Sequence, residues 1–212
     1  TIAQLIPIVG YIFLAKIIGT VEFGIFSIWL GFVYLGSILS TLRLENSLVI
    51  ENDGFKRDKS FLICSLTVLI SSLIFLLVIL FFLAIQIPFF ENLPTLSWFL
   101  LIPSLAFLAF NTTLQALAAA DGDYIQLNRL RIIQSTSAIT IQLVMVYFNS
   151  DAISLMLGFL VGQLVCIVFG IYNLKKRLFF KISIKNSTRY WNKHWKFPVF
   201  SLPADGLSTL GA

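Results

Sequence analysis

The stretch FLICSLTVLISSLIFLLVILFFLAIQIP at 61–88 runs for 28 residues without a single charge. Crossing about 30 Å of hydrocarbon takes roughly 20 apolar residues in a helix, so this one run is long enough to span a bilayer. A strand of a membrane barrel needs only about 10. Backbone groups in lipid must find their partners inside the segment or in a closed barrel, and at this length the helix is the solution. Working outward, similar runs lie at 2–18, 24–49, 96–120, 131–148 and 153–174, and a further one begins at 197–212. The fold class that follows is an all-α polytopic membrane bundle, with six transmembrane helices and the start of a seventh. Its parts are a bundle over 1–174, a basic connector over 175–196 and the opening of a second bundle over 197–212. Thr1 is not an initiator methionine and the first run begins without a basic leader, so the sequence reads as lacking its true N-terminus. Pro7 and the want of a small-residue cleavage site argue against a signal peptide there.

Composition agrees. The chain is 58% hydrophobic, with 21 Phe and only 12% charged residues, and its mean hydropathy is +0.92. A soluble domain wets its surface with about 25% charged residues, twice this supply. The pI near 9.3 invites a nucleic-acid reading until the basic residues are located. Connectors 50–60, 121–131 and 175–196 hold thirteen of the fifteen Lys and Arg, whereas 19–23, 89–95 and 149–152 hold none. This strict alternation is the positive-inside pattern, and it places the N-terminus and the basic connectors in the cytoplasm. Connector 175–196 carries Lys175, Lys176, Arg177, Lys181, Lys185, Arg189, Lys193 and Lys196 with no acid, as befits a topology anchor beside anionic lipid ahead of a dedicated binding surface, with a nucleic-acid surface a remote third.

Material for covalent chemistry is scarce. Cys64 and Cys166 each sit inside an apolar run with no neighbouring ligand, and the single His194 lies in a basic segment. No catalytic residue, metal site or cofactor is expected. The informative residues are polar ones at helical spacing, because lipid does not drive their burial. Arg131, Gln134, Ser135 and Gln142 fall within about 100° of one another on the fifth span, and Ser104, Asn111 and Gln115 share a face of the fourth. Such stripes serve either as interhelical hydrogen bonds or as a cavity lining. Arg43, in line with Gly36, Ser40 and Ser47, is expected roughly 9 to 10 Å inside the second helix, the best placed residue to contact an anion. Glu45 stands about 160° round such a helix from Arg43, so the two are not expected to pair. Lys16 and Arg131 sit near span ends, where long cationic side chains snorkel. Gly158 and Gly162 form a small-xxx-small pair that permits close helix approach. Pro7 and Pro103 each remove a backbone bond within a span.

These elements resemble a known family. AQLIPIVGYIFLAKIIGTVEFGIFSI at 3–28 carries a proline in span one, a basic residue near its end and an Glu-Phe-Gly before span two. TLRLENSLVIEND at 41–53 supplies an Arg-x-Glu element. LGFLVGQLV at 157–165 and KFPVFSLPADGLSTL at 196–210 follow in order. Together they are similar to the polysaccharide-biosynthesis, oligosaccharide-flippase family. The resemblance implies a carrier of twelve to fourteen helices in two bundles around a central cavity, of which this chain is the first bundle and the start of its partner. By itself such a piece is not expected to transport.

The function implied is the movement of lipid-diphosphate-linked oligosaccharide units across the bacterial inner membrane for O-antigen, capsule or related polymers, by alternating access and without enzymatic chemistry. In that picture Arg43, helped by Lys16, attracts the diphosphate, Gln142, Asn111 and Gln115 bond sugar hydroxyls, and Glu45 is a counter-ion or proton site. Whether a proton or a sodium ion couples transport stays open. The partners implied are the lipid-linked oligosaccharide, membrane lipids and the remaining helix bundle, with no nucleic acid. A multidrug or ion-coupled exporter would share the bundle but favour acidic and aromatic lining, and an envelope polymerase or ligase would need a sizeable outer loop.

Overall fold

A computed structural model describes residues 2–51, 54–84, 95–174 and 190–202. Seven α-helices follow in order: α1 (Ile2–Ile18), α2 (Thr20–Thr41), α3 (Ser47–Ile50), α4 (Gly54–Ala84), α5 (Thr95–Ala120), α6 (Tyr124–Phe148) and α7 (Ala152–Leu174). A 3₁₀ turn, Leu44–Asn46, precedes α3, and a helical stretch at 190–194 leads into a wide π-type turn, Phe197–Ser201. Among the described residues there is no strand. Five helices, α2, α4, α5, α6 and α7, are long and apolar enough to cross a membrane, and the slightly shorter α1 joins them. The outer surface is oily: Leu69, Ile70, Leu73, Ile74, Leu77 and Phe81 of α4 are all exposed, the arrangement lipid rewards and water penalises. The connector at 175–189, the loop at 85–94 and the second-bundle opening at 203–212 lie outside the described residues.

Local chemistry sets the helix ends. Gly19 at φ 90° lets α1 fold straight into α2, a left-handed backbone that glycine adopts at little cost. Gly122 at φ 72° does the same between α5 and α6. Asp123 then caps α6, its Oδ1 accepting from Gln126 N at 2.9 Å. Helix α6 therefore starts seven residues ahead of the expected span at 131–148, and Arg129 and Arg131 lie on the helix rather than before it. Hydropathy marks where lipid begins; the helix continues past that level because its polar first turns are capped. Asp151 caps α7 through Ser154 N at 2.9 Å, and Glu22 of α2 accepts from Ala152 N at 2.9 Å.

The expected second span, 24–49, is corrected. Helix α2 ends at Thr41, and Leu42 and Arg43 take left-handed backbones at φ 50° and 56°, a conformation costing non-glycine residues on the order of 1 kcal/mol each. Packing holds it: Leu44 and Leu48 are fully buried just beyond the bend. Arg43 thus sits at the end of the helix and not 9 to 10 Å inside it. The bend also abolishes the expected angular separation from Glu45. Arg43 Nη1 lies 3.4 Å from Glu45 Oε1, a pair the sequence spacing argued against.

The core has two apolar layers. Phe26, Trp29, Leu101, Leu105, Leu155 and Met156 belong to one. Leu44, Leu48, Phe61, Leu117, Leu130 and Cys166 belong to the other. The second layer lies at the end carrying the basic connectors, where Arg57 Nη1 of α4 meets Asp121 Oδ1 of the α5–α6 turn at 2.7 Å and Lys193 pairs with Glu51. Among the described residues, Arg57, Asp121 and Lys193 of the three basic connectors therefore lie at one end of the bundle.

Candidate functional site

Between the two apolar layers the helices turn polar. Along α5 the sequence passes from Leu108 through Thr112 to Gln115, along α6 from Gln134 and Ser135 to Ile139, and α7 contributes Gln163. These side chains and Tyr11 of α1 and Tyr34 of α2 surround a cavity of about 300 Å³. Pro7 contributes to its wall and explains one of its contacts. Lacking an N–H, Pro7 leaves the carbonyl of Ala3 without its helical donor. Ser135 Oγ of α6 lies 2.9 Å from that carbonyl and 2.7 Å from Arg131 O, so its one proton is shared between α1 and its own helix beside the cavity.

Four amides and one guanidinium form a directed chain. Arg131 Nε donates to Gln115 Oε1 at 3.3 Å, Gln115 Nε2 to Gln134 Oε1 at 2.6 Å, and Gln134 Nε2 to Gln163 Oε1 at 2.8 Å. From the other side Asn111 Nδ2 donates to the same Gln163 Oε1 at 2.8 Å and to Gln163 O at 3.0 Å. Polar groups in a dry bundle are costly unless bonded; Gln115 and Gln134 each give and take, Asn111 donates and Gln163 accepts from both sides, so the chain fixes their orientations together. Asn111 Oδ1 is buried with no partner. The chain crosses from α5 to α6 to α7, where Gly162 lets the last two helices meet: a Cβ there would stand 2.4 Å from Ala138 Cα.

The expected site residues divide. Gln115 lines the cavity, and Asn111 is fully buried and holds Gln163 in place. Gln142 is fully buried away from this lining, its Nε2 donating to Leu155 O at 3.1 Å, so this contact joins α6 to α7. Arg43 and Glu45 are drawn together at the basic end, and Lys16 is exposed near the opposite end of α1; none of the three lines the cavity. Arg131 lies two turns inside α6 and reaches Gln115 rather than serving only as a span-end anchor. Gln163, Thr112, Tyr11 and Tyr34 were not singled out. The signal for Gln163 is a lone amide one residue after the Gly158–Gly162 pair, inside the stretch LGFLVGQLV at 157–165.

At the basic end Glu51 gathers a second constellation. Lys193 Nζ bonds its Oε1, and His194 Nε2 lies 3.3 Å from the same oxygen. The Lys193 hydrogen bond, ahead of the smaller contribution of His194, holds the Glu51 carboxyl below its ordinary pKa. Burial pushes the His194 imidazole below its own, outweighing Glu51. Tyr190, whose ring centroid lies 4.6 Å from that of His194, sends its hydroxyl into a buried socket with Ser47 Oγ and, at 3.6 Å, Cys64 Sγ. The 190–194 segment is thereby latched to α3 and α4. Among the described residues no cluster of His, Cys, Asp and Glu is arranged to hold a metal.

Fold and cavity define a multi-pass helical membrane protein with a cleft between its helices lined by glutamine amides, hydroxyls and apolar side chains. A family model described as polysaccharide biosynthesis protein matches residues 13–202. The chain belongs to that family, and its role lies in polysaccharide biosynthesis. No curated protein and no solved structure matches it.

Proposed function

We propose that this chain forms a bundle of a flippase that carries lipid-diphosphate-linked oligosaccharide units across the bacterial inner membrane, with the basic end in the cytoplasm. The observation that supports this reading best is the cavity between α1, α2, α5, α6 and α7. Its polar lining is made of neutral amides and hydroxyls, groups that both donate and accept as sugar hydroxyls do. Tyr11, Tyr34 and Phe159 add rings for the apolar faces of a sugar. The volume of about 300 Å³ is at the lower end for a small-molecule site. No carboxylate is among the described lining residues, which disfavours a cationic drug as cargo.

In this mechanism the cavity exchanges the sugar's water for amide contacts while the lipid tail remains in the bilayer. Arg131, bonded to Gln115, is the cation nearest the polar chain and takes over the diphosphate-facing role expected of Arg43. Alternating access needs the second bundle as partner, and no covalent bond is made or broken. The tie between Ser135 and the Pro7-freed carbonyl gives α1 a contact that can open without breaking a helical hydrogen bond.

The test is complementation of surface-polymer synthesis. Gln134→Leu and Gln163→Leu at unchanged membrane abundance should each lower polymer at least tenfold, and Lys16→Gln should leave it unchanged. Full polymer with both glutamines replaced would remove the cavity from the transport path.

A further inference from the structure

We propose that the hollow between the start of α4 and the 190–194 segment is a binding site for the phosphate group of an anionic membrane lipid. The hollow measures about 280 Å³ and is lined by Lys56, Lys59 and Lys193, with Glu51, Tyr190 and Ile63 completing most of its wall. Among the described lining residues are three lysines and one carboxylate, and Lys193 and His194 already bond that carboxylate. The site is separate from the amide-lined cavity and shares no lining residue with it.

Its position argues for a lipid. Lys56 and Lys59 occupy the first turns of α4, whose uncharged run begins at Ser60 and continues past Leu66, Leu69, Ile70 and Leu73, all four exposed. Lysines at that boundary stand at headgroup level, and the oily face of the same helix offers acyl chains a continuous track. The N-terminal dipole of a 31-residue helix adds to the attraction for an anion. Tyr190, anchored by its hydroxyl to Ser47, fixes the far wall, so the hollow exists only while the 190–194 segment is docked. A phosphate seated among the three lysines would bridge α4 to that segment.

The experiment is lipid retention by the purified full chain in detergent, read by native mass spectrometry with phosphatidylglycerol and phosphatidylcholine in turn, and with inorganic phosphate as competitor. Phosphatidylglycerol should be retained in preference to phosphatidylcholine, and Lys56→Gln/Lys59→Gln should weaken it roughly fivefold for each charge removed. Arg129→Gln, another cation of the same end outside the hollow, should leave retention unchanged. Displacement by millimolar inorganic phosphate would support the phosphate site while making the lipid tail dispensable. Lys56 is exposed, so Lys56→Gln alone serves if the double variant fails to reach the membrane. Equal retention of the two lipids, or an unchanged value in both lysine variants, would overturn the proposal.

Discussion

Gln163 shows how one side chain organises the site. Its Oε1 accepts from both Asn111 and Gln134, so Gln163→Leu strands the Gln134 amide while Asn111 keeps the backbone carbonyl of residue 163. Interhelical hydrogen bonds in membranes average about 0.6 kcal/mol, and an unsatisfied buried donor costs about 1–3 kcal/mol. The variant should therefore lose roughly 1 kcal/mol of stability or slightly more, visible as a lowered unfolding midpoint in detergent. Arg43 follows another logic. Its partner Glu45 has a side chain only 7% exposed, and removing one member of a buried pair strands the other. Arg43→Ala should destabilise more than the double variant Arg43→Ala/Glu45→Gln, and a thermal double-mutant cycle measures the difference. If the single and double variants unfold alike, the pair has no structural weight.

At the scale of helices, the Gly158–Gly162 pair is where α6 and α7 nearly touch. A Cβ on residue 158 would stand 2.6 Å from Gln142 Cα, whereas at Gly24 of α2 nothing lies within 4 Å. Gly162→Ala should accordingly push the helices apart and cost about 1–3 kcal/mol, while Gly24→Ala should be neutral or slightly stabilising through helix propensity; unfolding midpoints of the two variants decide. The glycine spacing was legible because contact between helices leaves a periodic trace. So did the spans themselves, since lipid imposes apolar length on each. The break at Leu42–Arg43 left no such trace: neither residue is glycine or proline, and the bend is held by burial of Leu44 and Leu48, a tertiary cause. That break carried Arg43 and Glu45 out of the place their spacing assigned. The amide chain was half legible, because helical angles put Asn111 with Gln115 and Arg131 with Gln134, but whether a stripe meets another stripe or a neighbour's backbone depends on helix packing. Gln142 met the carbonyl of Leu155.

For the molecule as a whole, the question is what keeps the 190–194 segment docked on α3 and α4, and the Glu51–Lys193–His194 latch makes this depend on pH. Both titrating groups have pKa values depressed in the docked state. For His194 the docked form excludes a proton that the released form accepts, so docking is at full strength above the ordinary histidine value near 6.5 and weakens as pH falls through it. Glu51 acts in the same direction lower down: its pairing with Lys193 is complete above the ordinary carboxylate range and is lost as acid protonates it. The charged neighbours are Lys193, which lowers the pKa of Glu51 and opposes protonation of His194, Arg57, which donates to the Glu51 carbonyl at 2.7 Å, and Lys56 and Lys59, which line the same hollow. Hydrogen exchange of the 190–194 amides, normalised for intrinsic rate, should be slow at pH 7.5 and accelerate at pH 5.5. His194→Phe keeps an aromatic ring against Tyr190 and removes the titration, so it should flatten the profile between those two values while leaving the steeper loss below pH 5. A wild-type profile flat from pH 7.5 to 5.5 would mean that the Tyr190 socket holds the segment without help from the ionic latch.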